Sequence, residues 1–201
     1  MTPLRPLRST IALAAFLASA VPALAAPIPL SELSRYINSL TKAQTNFVQV
    51  NADGSQSSGM LYISRPGRAR FEYAPPDKTL VIAGGGSVAI FDGKSNQPPE
   101  QYPLRRTPLN LVLAPKVDFG QAKMVVGQRE VEGTTRVLAQ DPEHPEYGTI
   151  ELVFSPDPTT LRAWIITDEA GNQTEVKLGP LAQAESFPIS LFDIGLQKSK
   201  R

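Results

Sequence analysis

From Phe47 to Leu178 the chain is a series of short apolar and β-branched runs cut by turn sequences. No stretch among them carries a helical apolar stripe long enough to cross back between parallel strands. This pattern points to an antiparallel meander, strongly curved or closed as a barrel. The run 47–50 enters the hairpin-turn sequence Asn51-Ala52-Asp53-Gly54, and 60–63 returns from it. After the break Arg65-Pro66-Gly67, the residues Arg70-Phe71-Glu72-Tyr73 alternate, which puts Phe71 and Tyr73 on one face. The runs 79–83 and 88–91 flank Gly84-Gly85-Gly86, and further strands are expected at 123–126, 135–139, 149–154, 161–167 and 174–178.

Two segments depart from the strand pattern. Ser31 precedes Leu33, Ile37 and Leu40, spaced four and three apart, so a short helix capped by Ser31 is expected there. Between Gln97 and Pro115 five prolines exclude a long regular element, and Leu109-Asn110-Leu111-Val112-Leu113 suits one or two helical turns with Pro108 at the first position. An apolar helix bracketed by prolines in a β protein serves either as a lid or plug, or as a plain cap on the core.

The N-terminus reads as a secretory leader. Arg5 and Arg8 precede an apolar run from Ile11 to Val21, which is too short to span a bilayer, and Ala23-Leu24-Ala25 closes it with the small-x-small pattern. Cleavage is expected after Ala25, giving a signal peptide over residues 1–25 and one domain over 26–201. Lys and Arg total 20 against 19 Asp and Glu, so loss of Arg5 and Arg8 turns a balance of +1 slightly negative. Such a chain offers no footprint for nucleic acid or for an anionic membrane surface. With no cysteine, neither disulfides nor a lipid-anchoring thiol are available. A soluble periplasmic monomer is the expectation.

The chain lacks the motifs of the common catalytic centres. There is no G-x-S-x-G or H-E-x-x-H, and Gly84-Gly85-Gly86-Ser87 lacks the ending of a phosphate loop. His144, the only histidine, sits between Pro142 and Pro145 in what reads as an exposed loop. No catalytic residue, metal site or cofactor is therefore expected. What remains is that 60–63 and 88–91 are apolar on both faces, whereas a sheet with one wet face should alternate. Either helices cover one face, or the strands line an apolar cavity of the kind small barrels use for lipids. Arg65 lies where such a cavity would open.

In order, a helix, Phe47-x-Gln49, Gly59-x-Leu61-Tyr62-Ile63-x-Arg65-Pro66-Gly67, Arg70-Phe71-x-Tyr73 and Pro76 resemble the LolA family, as does the stretch from Leu80 to Asp92. The resemblance runs from about Leu30 to the end. It implies an α+β, mainly β fold: a half-open antiparallel β-barrel of about eleven strands, with short helices closing a hydrophobic cavity. It also implies a periplasmic carrier that takes lipoproteins by their acyl chains from an inner-membrane ABC-type release complex. The cargo would pass to an outer-membrane acceptor or to the membrane itself. The family arginine matching Arg65 is associated with holding the lid helices by hydrogen bonds. Ala69 stands where an aromatic residue is usual and Ala89 where a tryptophan is usual, both bearing on pocket shape.

Candidate lining residues are Phe47, Leu61, Ile63, Phe71, Tyr73, Ile90, Leu152, Phe154 and Trp164; a one-residue register shift would exchange the two faces. Arg65 is the expected lid-control residue, since an arginine beside apolar strands needs its donors paired, and carbonyls at a helix end are natural acceptors. Two rival readings are a sensor of mislocalised lipoproteins acting on a stress-response regulator, and an envelope structural protein with a filled core. A hydrolase would need a nucleophile and base that the sequence does not show.

Overall fold

A computed structural model describes residues 26–95, 97–121 and 123–199, so the expected leader lies outside the described residues. Helix α1 (Leu30–Ser39) is followed by β1 (Lys42–Val50), β2 (Gln56–Ser64), β3 (Arg68–Tyr73), β4 (Leu80–Gly84), β5 (Ser87–Phe91) and β6 (Glu100–Pro103). A 3₁₀ turn at Leu104–Arg106 and helix α2 (Leu109–Leu113) lead to β7 (Val125–Val131), β8 (Thr134–Gln140), β9 (Thr149–Ser155), β10 (Thr160–Thr167) and β11 (Gln173–Leu178). The chain ends with β12 (Ala182–Gln183), a 3₁₀ turn at Ile189–Phe192 and α3 (Ile194–Ser199).

All pairings are antiparallel, in the order β6-β5-β4-β3-β2-β1-β11-β10-β9-β8-β7, with β12 added to β1. Two meanders therefore meet at one seam, where Phe47 of β1 pairs with Leu178 of β11. β6 and β7 stand at the two ends of the order, so the sheet curls without closing. The half-open antiparallel barrel is the observed fold.

Local chemistry explains the boundaries. Gly85 and Gly86 take φ of +58° and +78° and make the two-residue turn between paired Gly84 and Ser87, a conformation that costs little without a side chain. The four-residue β6 lies within the proline-rich segment, where prolines are tolerated because an edge strand has a neighbour on one side only. The expected strand at 123–126 begins at Val125 instead, because Lys123 takes a left-handed φ of 65°. Ser31 does not cap α1. The N–H groups of Glu32 and Leu33 both bond the carbonyl of Pro29, so the helix starts one turn position earlier, and Ser31 lies inside it.

Apolar side chains fill both faces of the first meander for different reasons. On the concave face Leu61, Ile63, Ala69 and Phe71 join a core shared with Leu33 and Ile37 of α1, Leu111 to Leu113 of α2, and the inner residues of β8 to β11. On the convex face Leu80, Ile82, Ala89 and Phe91 form a second, smaller core under Phe192, with Phe187 edge-on to Tyr62 at 5.8 Å. The C-terminal segment is thus the cover for the outer face. Ala89 belongs to this outer core, which corrects the expectation that it shapes the interior: Val88 points inward, so alternation sends its neighbour out.

Candidate functional site

The concave face gathers a cluster of aromatic residues. Phe47 lies edge-on to Phe71 at 5.5 Å and to Tyr73 at 5.1 Å, and Phe71 is edge-on to Trp164 at 6.3 Å. Strands β1, β3 and β10 supply these rings from positions two apart or cross-strand, as period-two alternation requires. Of the nine residues expected to line a cavity, Phe47, Leu61, Ile63, Phe71, Leu152, Phe154 and Trp164 are buried in this core, and Tyr73 packs against it half-buried. Ile90 shares the inner side of β5 with Val88 but stands outside the core, half-buried, opposite Glu100 of the edge strand β6. Tyr73 donates its hydroxyl to Gln49 Oε1 at 2.6 Å. Burial, and then the nearby Asp77 carboxylate, push that hydroxyl up to about 12.

Helices α1 and α2 and the segment after α2 close the concave face. Leu33, Ile37 and Leu113 insert fully, and Val117 and Phe119 follow them into the core. Side chains of these elements pack against the inner face of the curled sheet.

Arg65, only 8% exposed, ties this cover to the sheet. It follows β2, and its backbone N–H bonds the Thr41 carbonyl at 2.7 Å, fixing the side chain between α1 and α2. Nη1 donates to the carbonyl of Ile37, near the C-terminal end of α1. Nη2 donates to Ala114, just past α2, at 2.7 Å and to Asn38 Oδ1 at 3.3 Å. Nε is buried without a partner among the described residues, and burial lowers the guanidinium's pKa. A cation held this way binds two helix ends through acceptors that carry partial negative charge. It remains a cation taken out of water, so the closed arrangement is held against a desolvation cost.

Three further contacts complete the closure, and the sequence reading did not single out their side chains. Asn38 donates Nδ2 to the Val117 carbonyl at 2.8 Å and accepts from the Val117 N–H at 2.9 Å, pairing like one rung of a ladder. Ser34 Oγ accepts from the Phe119 N–H at 3.0 Å. The Gly67 N–H donates to Leu113 at 2.8 Å, bringing the turn after Arg65 onto the end of α2. The only available signal was that Ser34 and Asn38 flank the apolar stripe on α1, four residues apart.

Ala69 is buried on the inner side of β3. His144 is exposed, stacks on Tyr147 with ring centres 4.7 Å apart, and pairs with Glu146 at 3.0 Å. Among the described residues no cluster of three or more His, Asp or Glu side chains could hold a metal ion. What the arrangement offers is an apolar aromatic face beneath a cover whose fastenings are polar.

A family model described as outer membrane lipoprotein carrier protein LolA matches residues 38–195. The outer-membrane lipoprotein carrier protein of Methylococcus capsulatus is 33% identical over 69 residues, 32% of this chain and 33% of that one. The chain thus spans about a third of that relative's length in the match. The protein of the same name from Chromobacterium violaceum is 26% identical over 208 residues, covering 96% of this chain and 93% of that one. Among solved structures, a LolA superfamily protein from Nitrosomonas europaea superposes with a TM-score of 0.44 at 8% identity, over 83% of this chain and 98% of that one.

Proposed function

Since this chain belongs to the LolA family, the outer membrane lipoprotein carrier proteins, we propose that it shelters lipoprotein acyl chains in the periplasm and carries lipoproteins from the inner to the outer membrane. The observation that carries this reading is the buried aromatic face under α1 and α2, with Arg65 joining the two helix ends. Acyl chains would take the places of Leu33, Ile37 and Leu113 once the cover swings out.

The energetics favour partial rather than full enclosure. Each buried methylene contributes roughly 0.8 kcal/mol, so complete burial of two or three long chains would make release too slow for a carrier. A cover that must be displaced subtracts its own packing and hydrogen bonds from the binding free energy. Handover to an acceptor with better cover then runs downhill without an energy source at that step. On this reading an inner-membrane ABC-type complex supplies the cargo, an outer-membrane acceptor or the membrane receives it, and no covalent chemistry is involved.

A fatty-acid-like fluorescent probe should bind the folded protein at micromolar concentration and be displaced by a diacylated lipopeptide. The structural-protein alternative has a definite signature: no probe binding by protein shown to be folded.

A further inference from the structure

In an antiparallel meander, successive turns alternate between the two ends of the sheet. The register puts the β2–β3 and β4–β5 turns at the same end, and both touch the cover there. Gly67 donates to Leu113 of α2, and the Leu104 N–H donates to Gly86 at 2.9 Å. A groove of about 510 Å³ lies on each side of these turns. One is lined by Pro66, Gly67, Gly86 and Arg105 among others, and the next by Arg68, Ser87, Ile189, Asp193 and Lys198.

This edge has an unusual surface chemistry for a chain with almost no net charge. Arg68, Arg105 and Lys198 make no ion pair among the described residues. The one carboxylate lining the second groove, Asp193, accepts from the Leu196 N–H at 2.9 Å. Beside them Ile189 is 78% exposed, the most exposed large apolar side chain among the described residues. Turns at the opposite end carry Asp53, Asp77, Asp92, Asp168 and Glu169 against Lys78 and Lys94. Total charge does not show this basic edge, although Glu132 and Asp157 lie in turns of the second meander at the same end of the sheet.

We propose that this edge is a docking surface for a bilayer rich in anionic lipid headgroups, with Arg68, Arg105 and Lys198 at the phosphates and Ile189 at the boundary with the acyl chains. A bilayer interface offers anions and apolar depth side by side, which matches cations flanking an exposed isoleucine. A free anion would leave Ile189 without a role. Docking in this orientation brings to the membrane the turns that touch α2 and the 3₁₀ turn before it, and keeps the turns carrying Asp53, Asp77 and Asp92 away from it. The inference extends the carrier reading to the surface where cargo is exchanged, but the binding it predicts needs no cargo.

The test uses the processed protein recovered from the periplasm, sedimented with phosphatidylglycerol–phosphatidylethanolamine vesicles and with phosphatidylcholine vesicles. Binding should be confined to the anionic vesicles at low salt and should weaken as salt is raised. At about fivefold per basic residue, the double variant Arg68→Glu/Lys198→Glu should bind at least tenfold more weakly, and Ile189→Ser several-fold more weakly. Both should keep the wild-type thermal midpoint and the wild-type probe affinity in vesicle-free solution. If the double variant does not fold, Arg105→Glu, on the exposed 3₁₀ turn, takes its place. Equal binding to both vesicle types, no binding at all, or full binding by the charge-reversed variant overturns the proposal, the second outcome leaving an acidic protein as the partner. Loss of probe binding with vesicle binding intact would overturn the carrier reading alone.

Discussion

Arg65 Nη2 stands 2.7 Å from the carbonyl oxygen of Ala114, so the turn that leaves β2 holds the chain just past α2. The same guanidinium reaches Ile37 of α1. Hydrogen bonds to a charged donor contribute roughly 1.5–3 kcal/mol each, yet this cation is also buried. Arg65→Leu removes the donors and the desolvation cost together. We expect a thermal midpoint lowered by only a few degrees and a much larger loss of lipoprotein delivery to outer-membrane vesicles. Unchanged delivery would reduce Arg65 to a packing residue, and parallel loss of folding and delivery would make it purely structural.

Asn38→Ala tests the second fastening. It strips two partners from the Val117 backbone and one acceptor from Arg65, and should destabilise by about 1–3 kcal/mol in denaturant titration. Combined with Arg65→Leu it should show a non-additive loss, because the two side chains share one network. Strict additivity would mean that the fastenings act independently.

Gly59 is required by a close approach of backbone. A Cβ there would stand 2.0 Å from the carbonyl oxygen of Glu72 and 3.0 Å from the Phe47 ring. Gly59→Ala must push β2 from β3, and a loss of about 2 kcal/mol or more is expected in equilibrium unfolding. A neutral result would show that the two strands part easily at this point.

Tyr73 makes stability depend on alkaline pH. Its hydroxyl titrates near 10 when unfolded and at about 12 in the fold, so the unfolded chain loses its proton first. The Tyr73 contribution is fully present below about pH 10 and is lost as pH rises towards 12, with a slope of at most about 1.4 kcal/mol per pH unit. Burial also raises Tyr36, Tyr62 and Tyr102, so the difference between wild type and Tyr73→Phe is the quantity to measure. The variant should show a shallower decline between pH 9.5 and 11.5, as order-of-magnitude bounds on the window. Identical slopes would place the effect elsewhere.

The leader reading is checked by terminal sequencing. The exported protein should begin at Ala26 and be released by osmotic shock. Recovery of Met1, or extraction only by detergent, would contradict it.

The strands were legible because alternation survives in short segments. Phe71 and Tyr73 share a face by counting alone, and turn glycines or prolines mark where the hairpins fold back. What could not be read was which face a doubly apolar strand turns inward. Ala89 was assigned to the interior because nothing in 88–91 reveals that Phe192, a hundred residues later, covers the other side. The concave aromatic residues were legible as candidates for the same reason that the strands were. The partners of Arg65 and Asn38 were not, since side chain to backbone bonds between α1 and the segment after α2 leave no periodicity. Ser31 was a sound cap by residue type, but Pro29 had already supplied the first carbonyl.

The seam between β1 and β11 has a kinetic consequence. Hairpins within each meander can zip from nearest neighbours, but Phe47 meets Leu178 only after nearly the whole chain is available. Until then β1 has one free edge and the aromatic face is open to water. The slow step of folding should therefore be the joining of two preformed halves. Destabilising substitutions at the seam, such as Leu178→Ala, should slow refolding more than equally destabilising ones within β8 or β9. During that interval the exposed β1 edge and bare aromatic face are the surfaces most open to misassociation.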